Sequence, residues 1–329
     1  DPQNWICANV TPYEHNIQKI VGHPRKDVSH QLGGIFACNN RIIKYIRQNP
    51  GIMKNVDVGV MSPMNNFELA QSIQMMIDDG LDVKGVENSD FLVDVDKPWH
   101  ILEANEKLLQ YMAKNLTKDY FSENCSVSES AEINGHVFLD DFAEIGKRVQ
   151  IDGNLWLGKR SKLLNGVIIE NNVIIGKESI LKNYCQISGP SSIGPKCKIG
   201  HVASFAGVCF DRVYLVHYCE VTGVIGSGTD IGAATVCGNL RFDDKSTIHD
   251  IKGRKEIEQI NHWVNFCFLG DYCRTGVNAI LMPGCKIGPY SIIGPGVLLK
   301  NKNIPEKSII LKEDDIVEKD WAGPNKYGW

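Results

Sequence analysis

The sequence lacks most of the marks that would direct it to a membrane, a secretory route or a nucleic acid. No run approaches the roughly 18 apolar residues that span a bilayer, and DPQNWICANV at the start shows no basic-then-apolar leader. Neither sign of charge dominates: 35 Lys and Arg against 39 Asp and Glu give −4, so no basic surface invites a polyanion. No CxxC pair occurs and the eleven cysteines are an odd number, which argues against a disulfide framework or zinc site and for reduced thiols. A glycine-rich, phosphate-cradling loop is missing as well; GHPRKD at 22–27 is no substitute. These absences predict a cytoplasmic protein with no nucleic-acid and no membrane partner. With 43% hydrophobic and 22% charged residues, it has enough apolar material for an ordered core.

What is present is a period of six. An apolar residue stands at every sixth position: Val127, Ile133, Leu139, Ile145, Ile151, Leu157, Leu163, Ile169, Ile175, Leu181, Ile187, Ile193, Ile199 and Phe205. Four residues after most of these comes a small or β-branched side chain, such as Ala143, Ser161, Val167, Cys185 or Cys197. Glycine often follows the large residue directly, as at Gly146, Gly158, Gly176, Gly194 and Gly200. Such a period is neither helical nor a simple alternation. It fits short strands joined by tight corners, three hexads or about 18 residues closing one triangular coil of a parallel β-helix. Large residues then point inward, small ones fill the bends, and the glycines are expected to supply positive φ at corners. The phase slips by two between Phe205 and Val213, resumes at Cys219, Ile225, Ile231 and Cys237, and returns at Leu269, Leu281, Ile287, Ile293 and Leu299. Cys185, Cys197, Cys273 and Cys285 occupy the small positions as buried hydrophobes. Residues 241–266 break the rhythm with charges and form an excursion of the kind that carries function on a rigid scaffold.

Ahead of the repeat the chain reads as α/β. A helix through Ile42, Ile43 and Ile46 can be capped by Asn39 or Asn40 and ends before Pro50. FELAQSIQMMIDDG forms a second, stopped at Gly80, and a third follows Pro98 with Leu102, Leu108, Leu109, Met112 and Leu116 on one stripe. Apolar runs at 17–21, 33–38 and 90–95 are expected to be strands. The regions are then 1–122, an α/β portion with a linking helix; 123–300, the β-helix with its excursion; and 301–329, a charged tail.

Several stretches resemble a known family. IQKIVGHP, GGIF, FELAQSIQMMIDDG and VDVDKPWHILEANEKLL look like the second half of sugar-1-phosphate nucleotidylyltransferases. The repeat, with IGAATVCGNLRFDDK at 231–245 and FLGDYCRTGVNAILMPG at 268–284, is similar to the C-terminal domain of bifunctional sugar-1-phosphate nucleotidylyltransferase/acetyltransferases of the archaeal type. The resemblance implies a left-handed parallel β-helix of hexapeptide repeats after a partial nucleotidyltransferase-like portion. It also implies a homotrimer, in which acetyl-CoA gives its acetyl group to the amine of a hexosamine 1-phosphate. Carried over by motif, His217 in VHYCEVTG would be the catalytic base, and Asn239, Lys245 and His201 would bind substrate. Ala233 and Arg274 would face the coenzyme, and Asp94 would match a magnesium-binding aspartate needed only if nucleotidyl transfer is retained. By its register His217 falls in the small-corner column, where a bulky polar ring has no packing role. From the residues alone, it reads rather as a solvated corner histidine.

The departures from the pattern are specific. Gly200-His201 replaces an Arg-Pro pair, Glu220 a tyrosine and Ile248 a lysine, while Gly22-His23-Pro24 replaces Glu-Lys-Pro and Leu32 an asparagine. Phosphoryl chemistry depends on concentrated positive charge, so little nucleotidyl transfer is expected. A truncated or degenerate nucleotidylyltransferase and a non-catalytic regulatory or scaffold homologue are the alternatives to an acetyltransferase.

Overall fold

A computed structural model describes residues 5–25, 28–56, 68–88, 90–251, 253–256 and 262–313. By packing, the chain divides at Leu92 and Val93 into two units.

The first unit is built on a three-stranded antiparallel sheet. Ile6–Val10 lies between Ile17–Gly22 and His30–Gln31. Helices α1 (Ile42–Arg47) and α2 (Leu69–Asp78) bury Ile42, Ala70 and Ile73 with Ala8, Ile17, Ile20 and Met53 of the remainder. The inner side of α2 also carries amides that serve backbone donors outside the helix. Gln74 Oε1 accepts from Ile20 N–H at 2.6 Å, and Gln71 Oε1 from Lys54 N–H at 2.8 Å. Gly80, at φ +79°, ends α2 as its sequence position suggests. The runs at 33–38 and 90–95 are not strands. Neither run alternates in the manner of a half-buried strand, and Ile35 is 91% exposed. Ile6–Val10 supplies the central strand that the apolar runs did not reveal.

The second unit is a left-handed parallel β-solenoid of three faces. The first face stacks Val137–Leu139, Leu155–Leu157 and Val173–Ile175; the second stacks Glu144–Ile145, Lys162–Leu163 and Ile180–Leu181; the third stacks Gln150–Asp152 and Ile168–Glu170. Register repeats every coil, so that Ile145, Leu163, Leu181 and Ile199 pair directly above one another. All four of these inward side chains are at most 3% exposed. Each such burial stabilises the fold by about 1.5–3 kcal/mol before the opposing entropy of ordering is counted.

The corners correct one expectation. The glycines that follow the large residues do not have positive φ; they stand where the next coil approaches too closely for a side chain. A Cβ on Gly200 would lie 2.6 Å from His217 N and 2.8 Å from Leu215 O. The left-handed residue is instead the one just before each small buried residue, and it is rarely glycine: Arg148, Arg160, Glu178, Tyr184, Lys196, Val202 and Tyr218 all lie between φ +55° and +60°. Their side chains sit at the bends, outside the packed interior.

The phase slip is also larger than the sequence suggested. Ser192 pairs with Val208, and Val208 with Val224, so two successive coils have 16 residues. In each, the strand runs from the third face into the first without a full corner, as Ser204–Cys209 and Glu220–Ile225, through Gly207 and Gly223. Val213 and Cys219, expected in the large column, therefore fill the small one, and both are buried. His217 lies two residues ahead of Cys219 and not in the small-corner column. Coils continue past position 300 through Asn303–Ile304 and Ile309–Ile310, which shortens the expected tail; residues 314–329 lie outside the described residues.

Helix α3 (Pro98–Asn115), the linking helix, packs on the coils of this second unit. Its buried side is Trp99, Leu102, Asn105 and Leu109, whereas Leu108, expected on the stripe, is 45% exposed. Asn105 Nδ2 donates to Pro190 O at 3.0 Å. Trp99 and Leu102 form a second core with Val208, Val224, Phe268 and the excursion's Trp263, Val264 and Phe266.

Candidate functional site

The bend between the second and third faces stacks equivalent residues of successive coils. Tyr218 N–H donates to His201 O at 3.4 Å, Ala234 N–H to His217 O at 3.2 Å, and Asn278 N–H to Ala233 O at 2.9 Å. This backbone ladder fixes His201, His217 and Ala233 as one column, although they come from three separate stretches of sequence. The 16-residue spacing of His201 to His217 and of His217 to Ala233 follows from the two shortened coils.

The His201 and His217 rings stack at 4.9 Å and 29°. Tyr218, which sequence reasoning did not single out, stands edge-on to both, at 5.1 Å from His201 and 4.9 Å from His217. Its hydroxyl is 3.3 Å from His201 Nε2. The signal for it was its place just before a small buried residue, shared with Tyr184, Tyr272 and Tyr290, where the left-handed backbone turns the side chain outward. His217 is half-buried, while His201 and Tyr218 are exposed. Behind the column, Thr275 Oγ1 accepts from Gly232 N–H at 2.9 Å and lies 2.9 Å from Thr235 Oγ1. The R-T-G threonine therefore satisfies buried polar groups within the coil, as buried hydroxyls must.

The other expected residues lie elsewhere. Asn239 follows Val236–Cys237, at the end of the third face, one corner away from His217. No hydrogen bond joins the two among the described residues. Lys245 is an exposed side chain on the excursion; its N–H donates to Asp243 Oδ1 at 3.3 Å and its carbonyl accepts from Asn265 Nδ2 at 3.4 Å. Arg241 clasps Asp243 in a bidentate pair at 2.8 and 2.7 Å, which holds the Asp243 carboxyl far below the usual range. Arg274 is exposed on the second face, between Asp230 and Ile292. Asp94 is exposed in a segment without regular structure, and no group of three or more potential metal-ligating side chains occurs among the described residues. Glu220 points outward on the third face between Ser204 and Val236, and Ile248 is 45% exposed.

Chemically, the column offers an imidazole with access to solvent, a second imidazole against its face, and a phenol. An imidazole there can take a proton from an attacking amine. The small Ala233 next in line leaves the adjoining step of the corner without a bulky side chain.

The family described as bacterial transferase hexapeptide (six repeats) matches residues 266–301. A bifunctional sugar-1-phosphate nucleotidylyltransferase/acetyltransferase of Sulfurisphaera tokodaii is 28% identical over 273 residues, covering 82% of this chain and 59% of that protein. Two proteins of Methanococcus maripaludis, each described as bifunctional protein GlmU, are 29% and 33% identical over 86% of this chain and 61% and 60% of their own lengths. The chain thus spans about three fifths of the curated relatives it matches. No helix among the described residues is long and apolar enough to cross a membrane.

Proposed function

From this similarity to bifunctional nucleotidylyltransferase/acetyltransferases and from the histidine corner, we propose that the chain transfers an acetyl group from acetyl-CoA to the amine of an amino-sugar phosphate. The observation that carries the reading is the column itself, which sets His217 beside His201 and Tyr218 and next to the small Ala233.

In this mechanism neutral His217 removes a proton from the substrate ammonium, and the freed nitrogen lone pair attacks the thioester carbonyl. The tetrahedral oxyanion collapses with loss of the coenzyme A thiolate, which takes up the proton held by the imidazolium, while the acylated nitrogen releases its second proton to water. Asn239 would donate its amide to the amine or thioester region, and Lys245 and Arg274 would attract phosphate groups as cations.

Because Asn239 stands at a different corner from His217, a site using both takes them from two copies of the chain. A homotrimer meets that need. The outward side of the third face favours it, since Val236, Ile280 and Leu298 form an exposed apolar column, and Leu240 and Phe242 beside Asn239 are 73% and 103% exposed. Packing that surface against another copy removes apolar area from water.

The direct test is acetyl-CoA turnover with hexosamine 1-phosphates. His217→Ala should lower it by about 10²–10⁴-fold while leaving the oligomer intact; unchanged turnover would remove the proposed base. A non-catalytic scaffold is favoured instead by one feature, Gly200 standing where the resembled pattern carries a guanidinium. Binding of acetyl-CoA and amino sugar without turnover would identify that role.

A further inference from the structure

The excursion is tied to the coils through a buried imidazole that the proposed chemistry does not use. His249 is 1% exposed and lies on the hairpin of His249–Ile251 with Arg254–Glu256. Its ring packs on Trp99 of α3 at 4.4 Å and 31°. Nε2 lies 2.6 Å from Val264 O, and Nδ1 lies 2.7 Å from Lys286 Nζ on the coil. Lys286 also donates to Gly284 O at 3.3 Å. A carbonyl only accepts, so Nε2 must carry a proton. Nδ1 and Nζ then share one further proton between two nitrogens, and the pair holds a single positive charge.

The geometry points to a proton-sensitive clip: His249 and Lys286 hold the excursion on the solenoid only while the pair carries one positive charge, and a second proton opens it. Two cations at 2.7 Å repel strongly in a partly buried place. Among the described residues, Asp250, Glu106 and His100 have contacts of their own. Asp250 is its neighbour on the hairpin; the carboxylate accepts from Gly253 N–H at 2.9 Å and the backbone carbonyl from Asn303 Nδ2 at 2.8 Å. On α3, Glu106 accepts from Trp263 Nε1 at 3.3 Å, and His100 is paired with Asp96 at 2.8 Å. Burial lowers the proton affinity of Lys286, with the Cys285 thiol and Asp250 opposing that effect.

The clip bears on the candidate site through the backbone. Asn265, next to Val264, accepts from both Thr247 N–H and its hydroxyl at 2.8 Å and donates to Lys245 O. His249 is therefore a positioning residue for the segment that carries Lys245. Only this last consequence rests on the proposed acetyl transfer.

Hydrogen exchange of the full chain, corrected for intrinsic rates, tests the clip without any activity. Once released, the ring takes its proton near the ordinary imidazole value of about 6.5, so protection of residues 245–251 and 262–266 should fall roughly tenfold between pH 7.5 and 5.5. The coil strand Gln186–Ile193 should not change. His249→Gln keeps one donor for Val264 O and one acceptor for Lys286 without a site for another proton, so its protection should be flat across that range. Lys286→Gln removes the opposing cation and should flatten the profile too, which serves if the first variant folds poorly. A flat profile in the parent protein, or the same fall in both variants, overturns the proposal. If the clip behaves as expected and no acetyl transfer is found, the proposed function fails and the clip stands.

Discussion

Gly223→Ala puts the basis of the histidine column to the test. Gly223 has φ +150°, and a Cβ there would lie 1.8 Å from Cys267 O. Ordinary contact begins at 3.4 Å, so the strand Glu220–Ile225 would have to move away from Cys267–Leu269 by roughly an ångström or more. The alanine backbone in that region costs about 1–3 kcal/mol, and weakening two or three ladder hydrogen bonds costs about 1 kcal/mol each. A total of roughly 3–6 kcal/mol lowers the melting point by about 6–24 °C for a unit of this size, at about 2–4 °C per kcal/mol. Gly80→Ala is the control, because its φ of +79° carries strain but nothing lies within 4 Å of the added carbon. It should cost only about 1–2 kcal/mol, and it lies in the other unit. Thermal melting followed by far-ultraviolet circular dichroism separates the cases. If the solenoid transition of Gly223→Ala lies within about 2 °C of the parent, the close coil approach that sets the 16-residue spacing is wrong.

Other outcomes follow from the same geometry. Mixing His217→Ala subunits with Asn239→Ala subunits, each inactive alone, should restore acetyl transfer at roughly a quarter of sites in a randomly mixed ring; no recovery would show that both residues act within one chain. Burial raises the Cys185 thiol to about 12 and the Cys197 and Cys219 thiols to about 11. Their thiolates are therefore scarce at pH 8 and gain only as pH climbs toward those values, so a disulfide reagent should label exposed Cys38 and half-buried Cys125 in the native protein and all eleven cysteines after denaturation. Fast labelling of most of the thiols in the native state would contradict the buried columns. Leu157→Ala, in a fully buried coil position, should destabilise the solenoid by about 2–5 kcal/mol in denaturant unfolding; a change below about 1 kcal/mol would place that side chain outside the core.

The inward column from Leu139 to Phe205 was legible because it depends on local rules: a two-residue strand points one large side chain inward, and the next corner resets the count. The small column up to Ala203 and the buried cysteines within it followed from that count. The strands Ile6–Val10 and His30–Gln31 were not legible, since a sheet edge is made by distant partners and leaves little local pattern. Val213 and Cys219 were misplaced for a related reason. Leaving out two residues looks like one slip in a sequence, whereas pairing shows two coils, each shortened at a glycine that another backbone nearly touches.

Local pattern was enough to establish that a six-residue period winds into coils, and which side chains are dry, because inside and outside alternate within a few residues of any position. Folding in three dimensions was needed to bring His201, His217 and Ala233 into one column, to add Tyr218 to them, to set Asn239 at another corner, and to join His249 to Lys286. Those neighbours are set by the length of whole coils and by how the excursion folds back, and distances across a stack are fixed by the backbone ladder rather than by spacing along the chain.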